Sequence, residues 1–190
     1  MKRAEPLVVM LIGLPGAGKS EVARALADEL GLHRIDRDAI RAAMFPRCTF
    51  SPAEKRAAQH AALKALEVNC AMGRHSVLDG RTFARAGERI ELEQRILGFG
   101  ARLIGLWLNC PPGVARQRVE RSGAHPAADR TPELVDLVAA RFEPPGPGCV
   151  EIDADRPLAE VRGDAVRVVR ALLAGEMPLS LGPEAVADRV

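Results

Sequence analysis

Apolar residues run unbroken from Leu7 to Ile12 and stop at Gly13. A strand covered on both faces, as in a parallel sheet flanked by helices, has this pattern. After a glycine-rich turn, Val22, Ala23, Leu26, Ala27 and Leu30 recur at helical spacing, and Gly31 stops the helix. Ile35 closes a short, weak strand, and the spacing then predicts a helix from about Asp38 to Phe45 and a loop from Pro46 to Phe50. Ser51-Pro52-Ala53-Glu54 is a capping box with proline in the first helical position, so a longer helix begins there and runs to Gly73. Further on, the pattern gives a brief buried strand at Ser76 to Asp79, an amphipathic helix at Ala84 to Phe99, and a strand at Leu103 to Asn109. Helices follow at Pro112 to Arg121 and Thr131 to Phe142, with Gly, Pro and Ala in the loop between them. A last strand, Val150 to Ile152, and a last helix, Leu158 to Leu173, end at Gly175.

Strands alternating with helices imply an α/β fold, a doubly wound, five-stranded, mostly parallel sheet with helices on both faces. Residues 1–174 form one expected domain, and 175–190 an expected C-terminal tail, either loosely docked or packed on a partner. A chain of 190 residues with a net charge of +2, 47% apolar and 27% charged, is ordinary globular material. Five Phe, one Trp and no Tyr make a poor base-stacking surface for single-stranded nucleic acid. The four cysteines are scattered without zinc or disulfide spacing, and the N-terminal apolar stretch is too short to span a bilayer. A cytoplasmic protein without membrane contact, monomeric or homodimeric, is the expectation.

Gly13-Leu14-Pro15-Gly16-Ala17-Gly18-Lys19-Ser20 matches G-x-x-x-x-G-K-[ST] between a buried strand and a helix, the context that motif requires. Gly13, Gly16 and Gly18 allow the torsions that turn successive N–H groups inward, with Pro15 and Ala17 completing the loop, and the helix adds its positive end. Lys19 then bridges the β- and γ-phosphates, and Ser20 offers a hydroxyl to Mg²⁺. With no guanine-reading N-K-x-D element, ATP is the expected donor.

Asp36-Arg37-Asp38-Ala39-Ile40-Arg41 lies at a strand end, the edge where open α/β sheets bind ligands. With the phosphate loop, Val77-Leu78-Asp79, Arg118-x-x-Arg121 and Phe142-Glu143-Pro144-Pro145, the chain resembles P-loop kinases of the polynucleotide 5′-hydroxyl kinase and small-metabolite kinase type, ATP-binding and AAA-like, over most of Leu7 to Ile152. The resemblance implies a nucleoside-kinase-like P-loop NTPase fold with a small lid at about 116–131. It implies that Asp38 takes the proton of an acceptor hydroxyl, that Arg41 holds an anionic group of the substrate, and that Asp36 and Asp79 help hold Mg²⁺. It also implies that Arg118 and Arg121 close over ATP. Each has a plainer alternative: Asp36 and Asp38 as helix caps, Asp79 as a turn former, and the arginines, Arg116 and Arg130 among them, as a solvated face.

The expected activity is transfer of the γ-phosphoryl of ATP to the hydroxyl of a small molecule. The alternatives are a polynucleotide 5′-hydroxyl kinase acting on a nucleic-acid end, a nucleoside monophosphate kinase, and a nucleotide-dependent switch without kinase activity.

Overall fold

A computed structural model of the chain describes residues 5–121 and 131–176. In order, the elements are β1 (Leu7–Ile12), α1 (Lys19–Leu30), β2 (His33–Asp36), α2 (Arg37–Met44), α3 (Pro52–Ala71), β3 (Ser76–Asp79), α4 (Ala86–Gly98), β4 (Arg102–Asn109), α5 (Pro112–Arg121), α6 (Pro132–Ala139), β5 (Cys149–Asp153) and α7 (Leu158–Ala174). The sheet order is β2-β3-β1-β4-β5, and every ladder is parallel, which sharpens the expectation of a mostly parallel sheet. Strand β1 lies in the middle; the chain goes first to the edge strand β2, returns inward to β3 beside β1, and then crosses to β4 and β5 on the other side. The end of β1 is therefore the switch point of the sheet, where open α/β folds leave a crevice.

Side chains of a strand alternate between faces, and β1 divides its residues between two cores accordingly. Leu7, Val9 and Leu11 pack with α1, α5, α6 and α7. Val8, Met10 and Ile12 pack with α3 and α4. All six are buried, which is why the run contains no polar residue.

The Ser51 capping box forms as the sequence predicts. Ser51 Oγ accepts from the Glu54 N–H at 3.3 Å, and Glu54 Oε2 accepts from the Ser51 N–H at 2.9 Å. These bonds, with further donors on Thr49, hold the Glu54 carboxyl down at about 2.

Several helix boundaries differ from expectation by one or more residues, two of them for reasons that lie in distant partners. Helix α4 starts at Ala86 and not Ala84, because Phe83 has φ +48° and the Ala84 carbonyl accepts from the Glu143 N–H. Helix α6 ends at Ala139, before Phe142, whose ring leaves the helix to stack on Trp107 with centroids 6.4 Å apart. The expected lid loop, Ser122 to Arg130, and residues 177–190 of the expected tail lie outside the described residues.

Candidate active site

The phosphate loop leaves β1 at Gly13 and enters α1 at Lys19. Gly16 has φ +89° and Gly18 φ +99°, a region costly for residues with a Cβ. Space excludes a side chain as well: a Cβ on Gly16 would lie 2.2 Å from the Ala115 carbonyl oxygen, and one on Gly13 2.8 Å from that of Leu108. No side chain caps the start of α1, and a helix N-terminus of this kind offers backbone N–H donors and positive dipole to a phosphate. Lys19 Nζ donates to the carbonyls of Gly13 at 2.9 Å and Leu14 at 2.7 Å, which holds the ammonium over the loop. Gly13 N–H, in turn, ties the loop to the neighbouring β3–α4 segment by donating to Thr82 O at 3.1 Å.

Strands β2 and β3 end side by side, with Asp36 and Asp79 as register partners. Asp79 is almost fully buried. Its Oδ1 accepts from Ser20 Oγ at 3.1 Å and from the Gly80 N–H at 2.8 Å. Its Oδ2 accepts from Arg34, Nε at 3.1 Å and Nη2 at 2.7 Å. The loop serine and the strand-end aspartate, 59 positions apart in sequence, thus share one hydrogen bond.

Asp36 has both oxygens engaged: Oδ1 caps α2 by accepting from the Asp38 and Ala39 N–H groups, and Oδ2 takes Arg34 Nη2 at 2.6 Å. The capping role is therefore the one its contacts show, and the helix begins at Arg37, one residue earlier than expected. Asp38, in the first turn, points its Oδ1 at two guanidinium groups, Arg37 at 3.3 Å and Arg41 at 3.0 Å. Neither contact uses Oδ2.

The phosphate loop, Asp38 and Asp79 border a cleft of about 460 Å³, whereas Arg34, Asp36 and Arg41 lie outside its wall. Pro15, Gly16, Gly18, Lys19 and Ser20 form one side, and Arg37, Asp38 and Lys55 another. Seven basic side chains line it against four acidic ones.

Of the two expected closing arginines, Arg118 lines the cleft, but its guanidinium donates to the Ala154 and Arg156 carbonyls, both at 2.8 Å. It fastens the segment between β5 and α7. Arg121 is exposed and is not part of the cleft wall. Arg116 pairs with Asp136 and Glu120.

Sequence reasoning missed Arg34 and Arg81. Arg34 had a usable signal: two positions before Asp36 on one strand, it must share that residue's side. Arg81 had none, since its guanidinium reaches the cleft by resting on the Phe83 ring, 4.9 Å from the centroid, while pairing with Glu88.

A family model described as an AAA domain matches residues 8–145, well over half of the chain. The chain belongs to that AAA domain family (AAA_33). No curated protein matches it. Among solved structures, this AAA-domain chain is similar to a candidate kinase of Chloroflexus aurantiacus, with TM-score 0.73 and 21% identity over 91% of this chain and 98% of that one. A sugar kinase from Janibacter sp. has TM-score 0.66 and 18% identity over 90% and 97%. The Mycobacterium tuberculosis APS kinase CysC, solved with AMPPNP and APS, has TM-score 0.64 and 19% identity over 87% and 98%. At these identities the likeness is one of fold: a P-loop NTPase sheet flanked by helices. Among the described residues, no helix is long and apolar enough to cross a membrane.

Proposed function

We propose that the protein is a kinase that moves the γ-phosphoryl of ATP to the hydroxyl of a small molecule. One observation carries the reading: a carboxylate with an oxygen clear of its ion pairs, Asp38, borders the same cleft as Lys19 and Ser20 of the phosphate loop.

The residues divide the work by their chemistry. The loop amides and the α1 N-terminus hold the polyphosphate by fixed donors, and Lys19 follows the charge toward the γ-phosphoryl. Ser20 Oγ and Asp79 Oδ1 are hard oxygen donors that already touch, and they fit Mg²⁺. When bound, that ion supplies positive charge to the phosphate oxygens. Asp38 Oδ2 accepts the proton of the acceptor hydroxyl while that oxygen forms its bond to the γ-phosphorus. The bond from the γ-phosphorus to the bridging oxygen breaks, and ADP leaves with the electron pair. A positioned general base contributes about 10²- to 10⁴-fold.

The resemblance in fold to kinases, one of them solved with AMPPNP, is consistent with nucleotide as the donor. Asp38→Asn, assayed by transfer of labelled γ-phosphate to a pool of alcohols, should lose at least about 10²-fold in kcat while the affinity for an ATP analogue is kept. Unchanged transfer by Asp38→Asn would remove the proposed base and favour an acceptor that is already an anion, as in a nucleoside monophosphate kinase.

A further inference from the structure

Strands β2 and β3 bring two carboxylates together at their ends and supply one cation for both. Arg34 stands two residues before Asp36, so the two side chains leave β2 on the same face. Its Nη2 donates to Asp36 Oδ2 at 2.6 Å and to Asp79 Oδ2 at 2.7 Å, and its Nε reaches Asp79 Oδ2 at 3.1 Å. The Asp79 side chain is only 2% exposed, against 27% for Arg34. Asp36 commits its other oxygen, Oδ1, to the N–H groups of Asp38 and Ala39 at the start of α2. Of the oxygens on these two carboxylates, only Asp79 Oδ1 meets the phosphate loop, through Ser20 Oγ at 3.1 Å.

This division governs charge as well as geometry. A hard divalent cation takes oxygen ligands, and its affinity follows the number of charged ligands offered. Two neighbouring carboxylates with no cation between them would attract the free metal and repel a triphosphate bound beside them. Arg34 cancels one of the two negative charges from behind, since Asp79 borders the cleft and Arg34 does not. A guanidinium suits that place because its planar fork holds oxygens in set directions and its charge is permanent. Among the described residues, no group of three or more His, Cys, Asp or Glu side chains is placed to hold a metal ion. Protein ligands alone therefore do not enclose Mg²⁺ here, and an ion bound by one carboxylate and a hydroxyl depends on phosphate and water for its remaining ligands.

Resting on the kinase reading for its metal and donor, we infer that Arg34 is a positioning residue that suits the cleft to a metal-nucleotide complex and sets it against the free metal. It keeps Asp36 on the cap of α2, holds Asp79 with Oδ1 toward Ser20, and leaves one carboxylate oxygen for the ion. The donor then enters as its magnesium complex, and the free ion has little hold on the site.

Two measurements on the full chain test this. Calorimetry with the magnesium complex of a non-hydrolysable ATP analogue comes first; absence of binding by the parent chain ends the kinase reading and this inference with it. The second follows Mn²⁺ alone, by the loss of its free-ion paramagnetic resonance signal. Arg34→Gln, which keeps a donor and removes the charge, should bind Mn²⁺ at least about tenfold more tightly than the parent chain. Arg34→Lys keeps the charge and should stay within about threefold of the parent. Adding Asp36→Asn to Arg34→Gln preserves an oxygen for the α2 cap and should abolish the gain, because Asp36 is the carboxylate that Arg34 holds back. Arg34→Met is the second neutral variant if the glutamine chain does not fold. A role in packing alone would lower the melting temperature of these variants without moving their Mn²⁺ affinity. With nucleotide binding by the parent intact, the inference is overturned if the neutral variants gain no affinity for Mn²⁺, if Arg34→Lys gains as much as they do, or if the gain survives Asp36→Asn.

Discussion

Gly16→Ala tests the phosphate loop by adding one methyl group. The new Cβ would lie 2.2 Å from the Ala115 carbonyl oxygen and 2.9 Å from its carbon, and Ala115 is fully buried in α5. Backbone cannot swing aside as a side-chain tip can, so the loop or α5 has to move. Holding alanine at φ +89° costs about 1–2 kcal/mol, and overpacking of this kind about 1–3 kcal/mol more. For a chain of this length each kcal/mol lowers the melting temperature by about 2–4 °C, so a fall of roughly 5–15 °C is expected. Because the displaced atoms are the phosphate-binding amides, affinity for an ATP analogue should fall at least about tenfold. Gly163→Ala is the control. That glycine lies within α7 with nothing within 4 Å of the added methyl, and the exchange should stabilise by about 0.5–1 kcal/mol and leave nucleotide affinity alone. Thermal melts and calorimetry on both variants decide the matter. If Gly16→Ala melts and binds like the parent chain, the close approach of loop to α5 does not constrain the site.

Three further expectations concern residues outside the loop. His75 Nδ1 accepts from the Leu7 N–H at 2.9 Å, so the ring must stay neutral on that nitrogen, and burial with the Arg102 charge pushes its pKa down. A folded-state pKa below the ordinary value of about 6.5 gives stability that is present above that pH and is lost as pH falls through the folded value; urea unfolding should show this loss in the parent chain and not in His75→Gln, and equal pH slopes would refute it. Arg89, 5% exposed, donates to the carbonyls of Phe83 and Glu143 at 3.0 Å and of Pro144 at 3.4 Å, so Arg89→Met should cost about 3 kcal/mol in urea unfolding, and a change under about 0.5 kcal/mol would show that these carbonyls find other donors. Arg34 neutralises Asp36 and Asp79 together, so Arg34→Met should lose about 1–3 kcal/mol and recover more of its stability on addition of Mg²⁺ than the parent chain gains; an equal response of the two would count against that role.

The parts of the molecule legible in the sequence are those written in local pattern. The unbroken run of β1, the glycine spacing of the loop and the capping box at Ser51 each confine their information to a few neighbouring positions, and the structure has all three. Helix ends decided by distant partners were not legible. Phe142 has an apolar side chain that continues the periodicity of α6, yet Trp107, 35 positions earlier in the chain, draws it out of the helix. The roles of the arginines were the least legible, because a guanidinium at the end of a long side chain has many possible partners within reach. Arg118, with the spacing of a closing finger, reaches two carbonyls after β5, whereas Arg34, in an unremarkable strand, holds two carboxylates at the heart of the site. The difference between them is one of register. Parallel pairing places Asp36 beside Asp79 and Arg34 one pleat back on the same face, so the two carboxylates need a shared cation before any metal or nucleotide enters. The motif marks where phosphate binds, and the register of β2 on β3 determines how the carboxylates there are kept in check.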